Sequence, residues 1–328
     1  MRQQNNLING GITSSLIKFT IPILFALFLQ TMYGMVDLLI VGNFGIVADV
    51  SGVSTGSQLM TLITSICTGL ATGATILIGQ KIGAGEDKEI PAIIQGTTII
   101  FSIFSIISMV FILVCIDDIV AWLNTPLDAI NQTTNYLFIC AIGVPMIFTY
   151  NVLGSIFRGL GDSKTPLIAV GIACIINIVL DLVLIAIFDM GASGAAIATV
   201  FAQTISVVIC IAMIKKRKMF SFENAPSAFF NCSYIKSVLR LGIPVALQSG
   251  LISVSFLSIT IIVNQFGIIF SASVGLVEKL TGIIMLVPLA FMQSLSVFVA
   301  QVHLKNKPYI FPYECFLGDV CLFIILSF

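Results

Sequence analysis

The stretch NIVLDLVLIAIF, residues 177–188, is apolar at every position except Asn177 and Asp181. Those two residues are four apart, so on a helix they stack on one face. A charged Asp at the centre of a membrane helix costs roughly 2.5–3.5 kcal/mol. Residues of this kind face a bundle interior or an aqueous cavity rather than lipid, so the segment reads as a membrane span with one inward polar stripe.

The rest of the chain agrees with that solvent. Of its 328 residues 58% are hydrophobic and only 9% charged, with a mean hydropathy of +1.11. A soluble globule of that composition would lack the polar material to cover its surface. Apolar runs near the 20 residues that cross a bilayer fall at 16–41, 54–79, 92–115, 132–153, 166–188, 192–214, 241–265 and 272–300. The expected fold class is therefore all-α, a polytopic membrane bundle with eight transmembrane helices. Gly- and Pro-punctuated breaks such as RGLGDSKTP join the spans. One longer break, 215–240, reads as a linker.

Charge placement supplies the orientation. With the N-terminus in the cytoplasm, fourteen of the fifteen Lys and Arg residues fall at the inner side, Lys279 being the exception. The outer loops then carry Asp49, Asp117, Asp118, Asp128 and Asp189 and no basic residue. MRQQNN lacks the charged segment and cleavage site of a secretory signal, so the first span is expected to be retained. The expected location is the cytoplasmic membrane.

Several chemistries are absent from the sequence. The eight cysteines form no CxxC pair and read as small apolar packing residues. With one histidine, His303, there is no HExxH site and no Ser-His-Asp triad, and no Gly-Lys dipeptide exists to build a phosphate loop. The chain is not expected to be an enzyme, to bind nucleic acid or to hold a cofactor.

The chain also repeats. Shifted by 222 residues, IKFTIPILFALFLQTMYGMVDLLIVGNFG (17–45) aligns without a gap on LRLGIPVALQSGLISVSFLSITIIVNQFG (239–267). Pro22 meets Pro244, Phe44 meets Phe266, Gly45 meets Gly267, and Lys18 stands opposite Arg240. The seventh span thus restarts the first, six helices later and in the same orientation, which implies two lobes related by an axis along the membrane normal. The expected organisation is a six-helix N-terminal lobe (1–214), a linker (215–240) and an incomplete C-terminal lobe (241–328). In the last of these, two spans of an expected six precede an aberrant tail, as in a shortened twelve-helix protein. A non-functional truncated relic is a further reading.

Depth gathers the polar residues. The first and fifth spans run outward, with Asp37 about 6 Å and Asp181 about 10 Å below their outer ends at the helical rise; Thr199, in the sixth span, lies about 10 Å below its start. Tyr136 sits at similar depth in the fourth span, and Asn177 slightly deeper. Two carboxylates sharing a low-dielectric cavity cannot both ionise freely, so the cluster is expected to take up a proton. Its oxygens equally suit Na+, and the packing alternative is that Asp37 and Asp181 merely cap or pair within the bundle.

The segments MVDLLIVGNFG, ATGATILIGQKIGAG, NYLFICAIGVP, RGLGDSKTP and NIVLDLVLIAIFDMGASGAAIAT together resemble the multidrug and toxic compound extrusion (MATE) family. The resemblance runs to about residue 301. It implies twelve helices in two lobes and export of drugs, often cationic, in exchange for H+ or Na+. Carried onto this chain, it makes Asp37, Asn177, Asp181 and Thr199 the cation site, Tyr136 and Asn151 nearby polar members, and Pro22 a hinge. Proline removes a backbone hydrogen bond, although a static kink would look the same. The chain departs from the pattern of some members: ALQSGLISVS, early in the seventh span, has no coupling acid, and Ile259 stands opposite Asp37 in the repeat. Glu278 and Lys279 are candidate polar elements of the second lobe. A flippase for lipid-linked precursors is the rival reading, favoured by cationic residues in the cleft, of which the spans have almost none.

Overall fold

The structure, a computed structural model, describes residues 12–217 and 232–303. The aberrant tail and much of the expected linker therefore lie outside the described residues. Seven described helices are long and apolar enough to cross a membrane. In chain order the first six are α1 (Ile12–Phe44), α2 (Val47–Ala84), α3 (Ile90–Val114), α4 (Ile130–Gly159), α5 (Lys164–Asp181) and α6 (Gly191–Arg217). After them come α7 (Cys232–Asn264), α8 (Ile268–Ile284) and α9 (Leu286–His303). The chain is a polytopic, all-helical membrane protein.

Two of the expected spans take another form. The single span foreseen at 272–300 is broken at Met285, between α8 and α9. Pro288 has no N–H to offer the Ile284 carbonyl, and its ring crowds that oxygen, so the helix restarts there. The fifth span ends as a π-helix over Leu182–Ile187, directly after Asp181. A short surface helix, Ile116–Trp122, follows α3 and carries Asp117 and Asp118 in its first turn, where the helix dipole favours acids.

Local signals explain the helix ends. Gly85 takes a left-handed conformation (φ 76°) and donates to the Ile82 carbonyl, while Glu86 N–H reaches Lys81 O at 2.9 Å, closing α2 in a Schellman turn. The RGLGD segment does the same for α4 through Gly161 (φ 80°), with Asp162 N–H bonded to Phe157 O. Asp162 then accepts from the backbone N–H groups of Lys164 and Thr165 and from Thr165 Oγ1, opening α5, and forms an ion pair with Arg217 at 2.5 Å.

α2 is the pillar of the fold. It runs parallel to α4, with Gly52 against Gln132 and Thr133, Gly56 against the Tyr136 ring, and Thr75 beside Gly159. On another face it runs antiparallel to α7, where Gly69 lies against Ala246, and Gly73 against Val238 and Gly242. This Gly69-xxx-Gly73 surface meets Gly242-xxx-Ala246, the small-residue packing by which membrane helices bring backbones together. α8 and α9 lie along α1 and α2: Leu16, Phe19 and Ile23 pack with Ala290, Val297 and Phe298, and Gly79 lies against Ala300. By contrast, Ile103, Ile107, Phe111 and Val114 of α3 are exposed and apolar, a surface suited to lipid.

The duplicated spans α1 and α7 are each 33 residues long, with Pro22 and Pro244 inside them. Both helices continue through their proline. The side chains of Glu278 and Lys279 lie outside the described residues.

Candidate functional site

Three helices converge near the acidic-loop end of the bundle. Asp37 on α1 is 6% exposed, whereas Asp181 at the end of α5 and Asn177 one turn before it are wholly buried. Thr199 of α6 donates its hydroxyl to Asp37 Oδ2 at 3.1 Å. The Asp181 carboxyl lies close enough to that of Asp37 for the two to interact directly. Neither Asp181 oxygen and neither polar atom of the Asn177 side chain has a hydrogen-bond partner among the described residues.

The arrangement is local in origin. Asn177 and Asp181 project from one face of α5, and the π-helix begins where that face ends. Segments of this type replace a regular turn where a helix must present side chains out of α-register. The α5–α6 connection returns through Asp189 (φ 53°) and Gly191 (φ 48°), which sets Thr199 opposite Asp37. Tyr136 is buried, packs its ring on Gly56 of α2, and is within electrostatic reach of Asp37 at the edge of the cluster.

Asn151 is placed elsewhere. It lies fifteen residues beyond Tyr136 on α4, about 22 Å along the axis, and bonds Thr68 of α2 (3.2 Å) and the Ile147 carbonyl (2.8 Å). The spacing that separates it from the cluster is already present in the sequence. The structure adds two residues that sequence reasoning passes over. Gln203 Nε2 donates to Tyr33 Oη at 2.8 Å, and both side chains are buried. Gln203 is one turn from Thr199, and Tyr33 one turn from Asp37, so α1 and α6 are joined by two successive rungs. The i, i+4 spacing of Tyr33 to Asp37 and of Thr199 to Gln203 was the available signal.

The site can present oxygen ligands from carboxylates, a hydroxyl and amides within a water-poor interior. It offers no nucleophile–base pair.

The family model described as MatE matches residues 22–183, which includes both acids and Asn177. Over that nearly half of its length the chain is similar to the family, whose members are transporters and not enzymes. It is 28% identical over 299 residues to the probable multidrug resistance protein YoeA of Bacillus subtilis (strain 168), covering 88% of this chain and 64% of that protein. It is 22% identical over 298 residues to the multidrug export protein MepA of Staphylococcus aureus, covering 89% and 65%. The chain thus spans about 64% of the length of these relatives. Among solved structures, that of the MATE multidrug transporter DinF-BH superposes with a TM-score of 0.84 at 22% identity, over 95% of this chain and 70% of that one. An outward-facing MATE family transporter superposes with a TM-score of 0.81 at 20% identity, over 98% of this chain and 72% of that one. At these identities the likeness establishes the fold.

Proposed function

We propose that this chain supplies the ion-coupling part of an antiporter that exports small organic compounds, often cationic, in exchange for H+ or Na+. Asp37, Asn177, Asp181 and Thr199 bind the coupling ion, and Tyr136 closes the edge of their site. One observation carries the reading: two acids from different helices meet in a buried interior whose donors leave both Asp181 oxygens unsatisfied. Buried carboxylates so placed require a proton or a metal cation to offset their charge. The substrate class is supported by the names of the relatives, which are multidrug resistance and export proteins.

In this reading α1–α6 form one lobe (1–214), residues 215–240 link it to a second lobe, and the N-terminus lies in the cytoplasm, so that Lys81, Arg158, Lys164 and Arg217 mark the inner face. Pro22 is the hinge of α1. Ion and substrate compete because each is bound more tightly by a different arrangement of the lobes, and an ion can bias the exchange only through that difference.

The test is ethidium efflux from proteoliposomes, with pH and Na+ gradients imposed separately, for the wild-type chain, Asp37→Asn and Asp181→Asn. Gradient-driven efflux that both substitutions abolish supports the assignment and names the ion. Efflux that survives both substitutions sinks it. A chain that is inactive alone and active when the C-terminal helices of a relative are co-expressed retains the assignment of the site and places transport in the completed assembly.

A further inference from the structure

Side chains of α7–α9 close both ends of the bundle against α1–α6. At the end with the acidic loops, Asn264, the buried last residue of α7, donates its Nδ2 to the Leu123 carbonyl at 2.8 Å. Beside it, Ser271 Oγ of α8 meets Ser51 Oγ of α2 at 2.8 Å, both residues being buried. At the basic end, the buried Gln301 of α9 donates its Nε2 to the Gly159 carbonyl at 3.0 Å. The Gln301 backbone lies against Gly83 of α2.

The two ends are built alike. In each, a buried amide donates to a carbonyl where a helix stops: Leu123 caps the short helix Ile116–Trp122, and Gly159 is the last residue of α4. Carbonyls in a last turn have no donor within their own helix. An amide can therefore bond them, and leave again, without breaking a helical bond. Between the two ends lies the seam of Gly69 and Gly73 against Gly242 and Ala246. Thr55, which neighbours Ser271, is about 21 Å along α2 from Gly69, and Gly83 is about 15 Å beyond Gly73. The seam is close backbone packing, and the hydrogen bonds stand to either side of it.

Closure at the acidic end is incomplete. Asn264 Oδ1, Thr125 Oγ1 two residues after Leu123, and Gln132 Oε1 of the residue against Gly52 are buried with no hydrogen-bond partner among the described residues. Opening this end lets water satisfy them, which offsets the loss of the Asn264 bond. Continued four residues further, the 222-residue repeat sets Ser271 opposite Asp49. Asp49 joins α2 to α6 through charge-assisted bonds from backbone N–H groups. Its counterpart makes a hydroxyl–hydroxyl bond, which water replaces more readily.

We propose that Asn264 and Gln301 are paired latches, one at each end of the α2–α7 seam, and that their balance sets which end of the protein opens. They are positioning residues, acting through the packing of α7–α9 on α1–α6. The inference rests on the reading of the chain as a two-lobe exporter, and it assigns the contacts that hold each face shut.

The measurement is hydrogen–deuterium exchange of the purified chain in nanodiscs, read by mass spectrometry on peptides from each end, since exchange reports the population of locally opened states. Asn264→Leu, of similar shape without polar atoms, is expected to exchange roughly two- to ten-fold faster over 47–56 and 264–272, the range for one lost hydrogen bond. Exchange over 79–86 and 156–162 is expected to be no faster than in wild type. Gln301→Met is expected to give the converse, with the basic end faster and the acidic end not. Should either variant fail to fold, Ser271→Ala and Gln301→Asn are milder changes at the same two ends and are expected to act in the same directions.

A variant whose own end exchanges as in wild type, or in which both ends quicken together, overturns the proposal, because a purely structural residue loosens the fold without regard to side. Efflux assays of Asp181→Asn separate this from the ion site, which the latch variants leave untouched. Efflux lost in Asp181→Asn, beside latch variants with wild-type exchange, overturns the latches and keeps the ion site. Efflux indifferent to Asp181→Asn, beside opposite responses of the two ends, removes the ion site and supports the latches.

Discussion

Asp49 and Ala192 are 143 residues apart in sequence and joined by a hydrogen bond: Asp49 Oδ1 accepts from the Ala192 N–H at 3.0 Å. The same carboxylate takes the Ile46 N–H on Oδ2 at 3.1 Å. One side chain therefore satisfies orphan donors at the start of α2 and at the start of α6. Gly191, with φ 48°, lies against the Asp49 carboxylate, where a Cβ has no room. Asp49→Ala is expected to destabilise the chain by about 1–2 kcal/mol, the range for loss of a helix N-cap. Asp49→Asn, which keeps an acceptor, is expected to cost less. Chemical denaturation in detergent micelles measures both, and equal effects of Ala and Asn would show that the charge alone matters.

The seam between α2 and α7 makes a sharper contrast. At Gly73 an added Cβ meets backbone atoms of Val238 and Gly242, which no side-chain rotation relieves. At Gly42, on α1, the nearest atom to an added Cβ is Val50 Cγ2 at 3.9 Å. Gly73→Ala is expected to cost about 1–3 kcal/mol or more through overpacking. Gly42→Ala is expected to be neutral or stabilising by up to about 1 kcal/mol, because Ala is the better helix former. Retention of the folded fraction by size-exclusion profile after heating distinguishes the two. A harmless Gly73→Ala would mean the helices are free to part at the seam.

Much of this was legible in the sequence, for physical reasons that differ from residue to residue. Spans are visible because a lipid solvent demands unbroken apolar runs. Asp37, Asn177, Asp181 and Thr199 are visible because ionisable groups in such runs are rare and their depth is countable. Gln203 and Tyr33 stand out less: their i, i+4 spacing from Thr199 and Asp37 is a signal, but an amide or a phenol inside a span is common and the bond between the two across the bundle gives it meaning. The break at Met285 was written in Pro288, but an apolar run conceals it. The π-helix after Asp181 has no residue signature, and Asn151 shows that a shared helix is no guarantee of a shared site.

At the basic end of the bundle, Asp162 and Arg217 form a pair of unequal partners. Asp162 is 8% exposed and accepts from Lys164 N–H, Thr165 N–H and Thr165 Oγ1 besides Arg217. Arg217, at the end of α6, is far more exposed and pairs with Asp162 from the solvent side. Asp162→Ala is expected to lose the start of α5 and the ion pair together, roughly 2 kcal/mol on capping values. Arg217→Gln is expected to cost under about 1 kcal/mol, as for an ion pair open to solvent. Paired melts of the single and double variants test this, and the double variant is expected to resemble Asp162→Ala.

The last prediction concerns the sign of an effect at the site itself. Most buried polar groups stabilise a fold, so their removal weakens it. Asp181 is different: it is wholly buried, no N–H or O–H among the described residues satisfies its oxygens, and its neighbour is another acid. Holding two such groups together costs folding energy that the rest of the bundle must offset. Asn has nearly the shape of Asp and carries no charge. Asp181→Asn is therefore expected to leave the chain at least as stable as wild type, with a gain of about 1 kcal/mol or more when measured without Na+. It is also expected to abolish gradient-driven efflux, the usual exchange of stability for activity at a strained site. Denaturation and efflux on the same preparation decide the matter: a variant that is both less stable and inactive would make Asp181 a structural residue, and its burial would need another explanation.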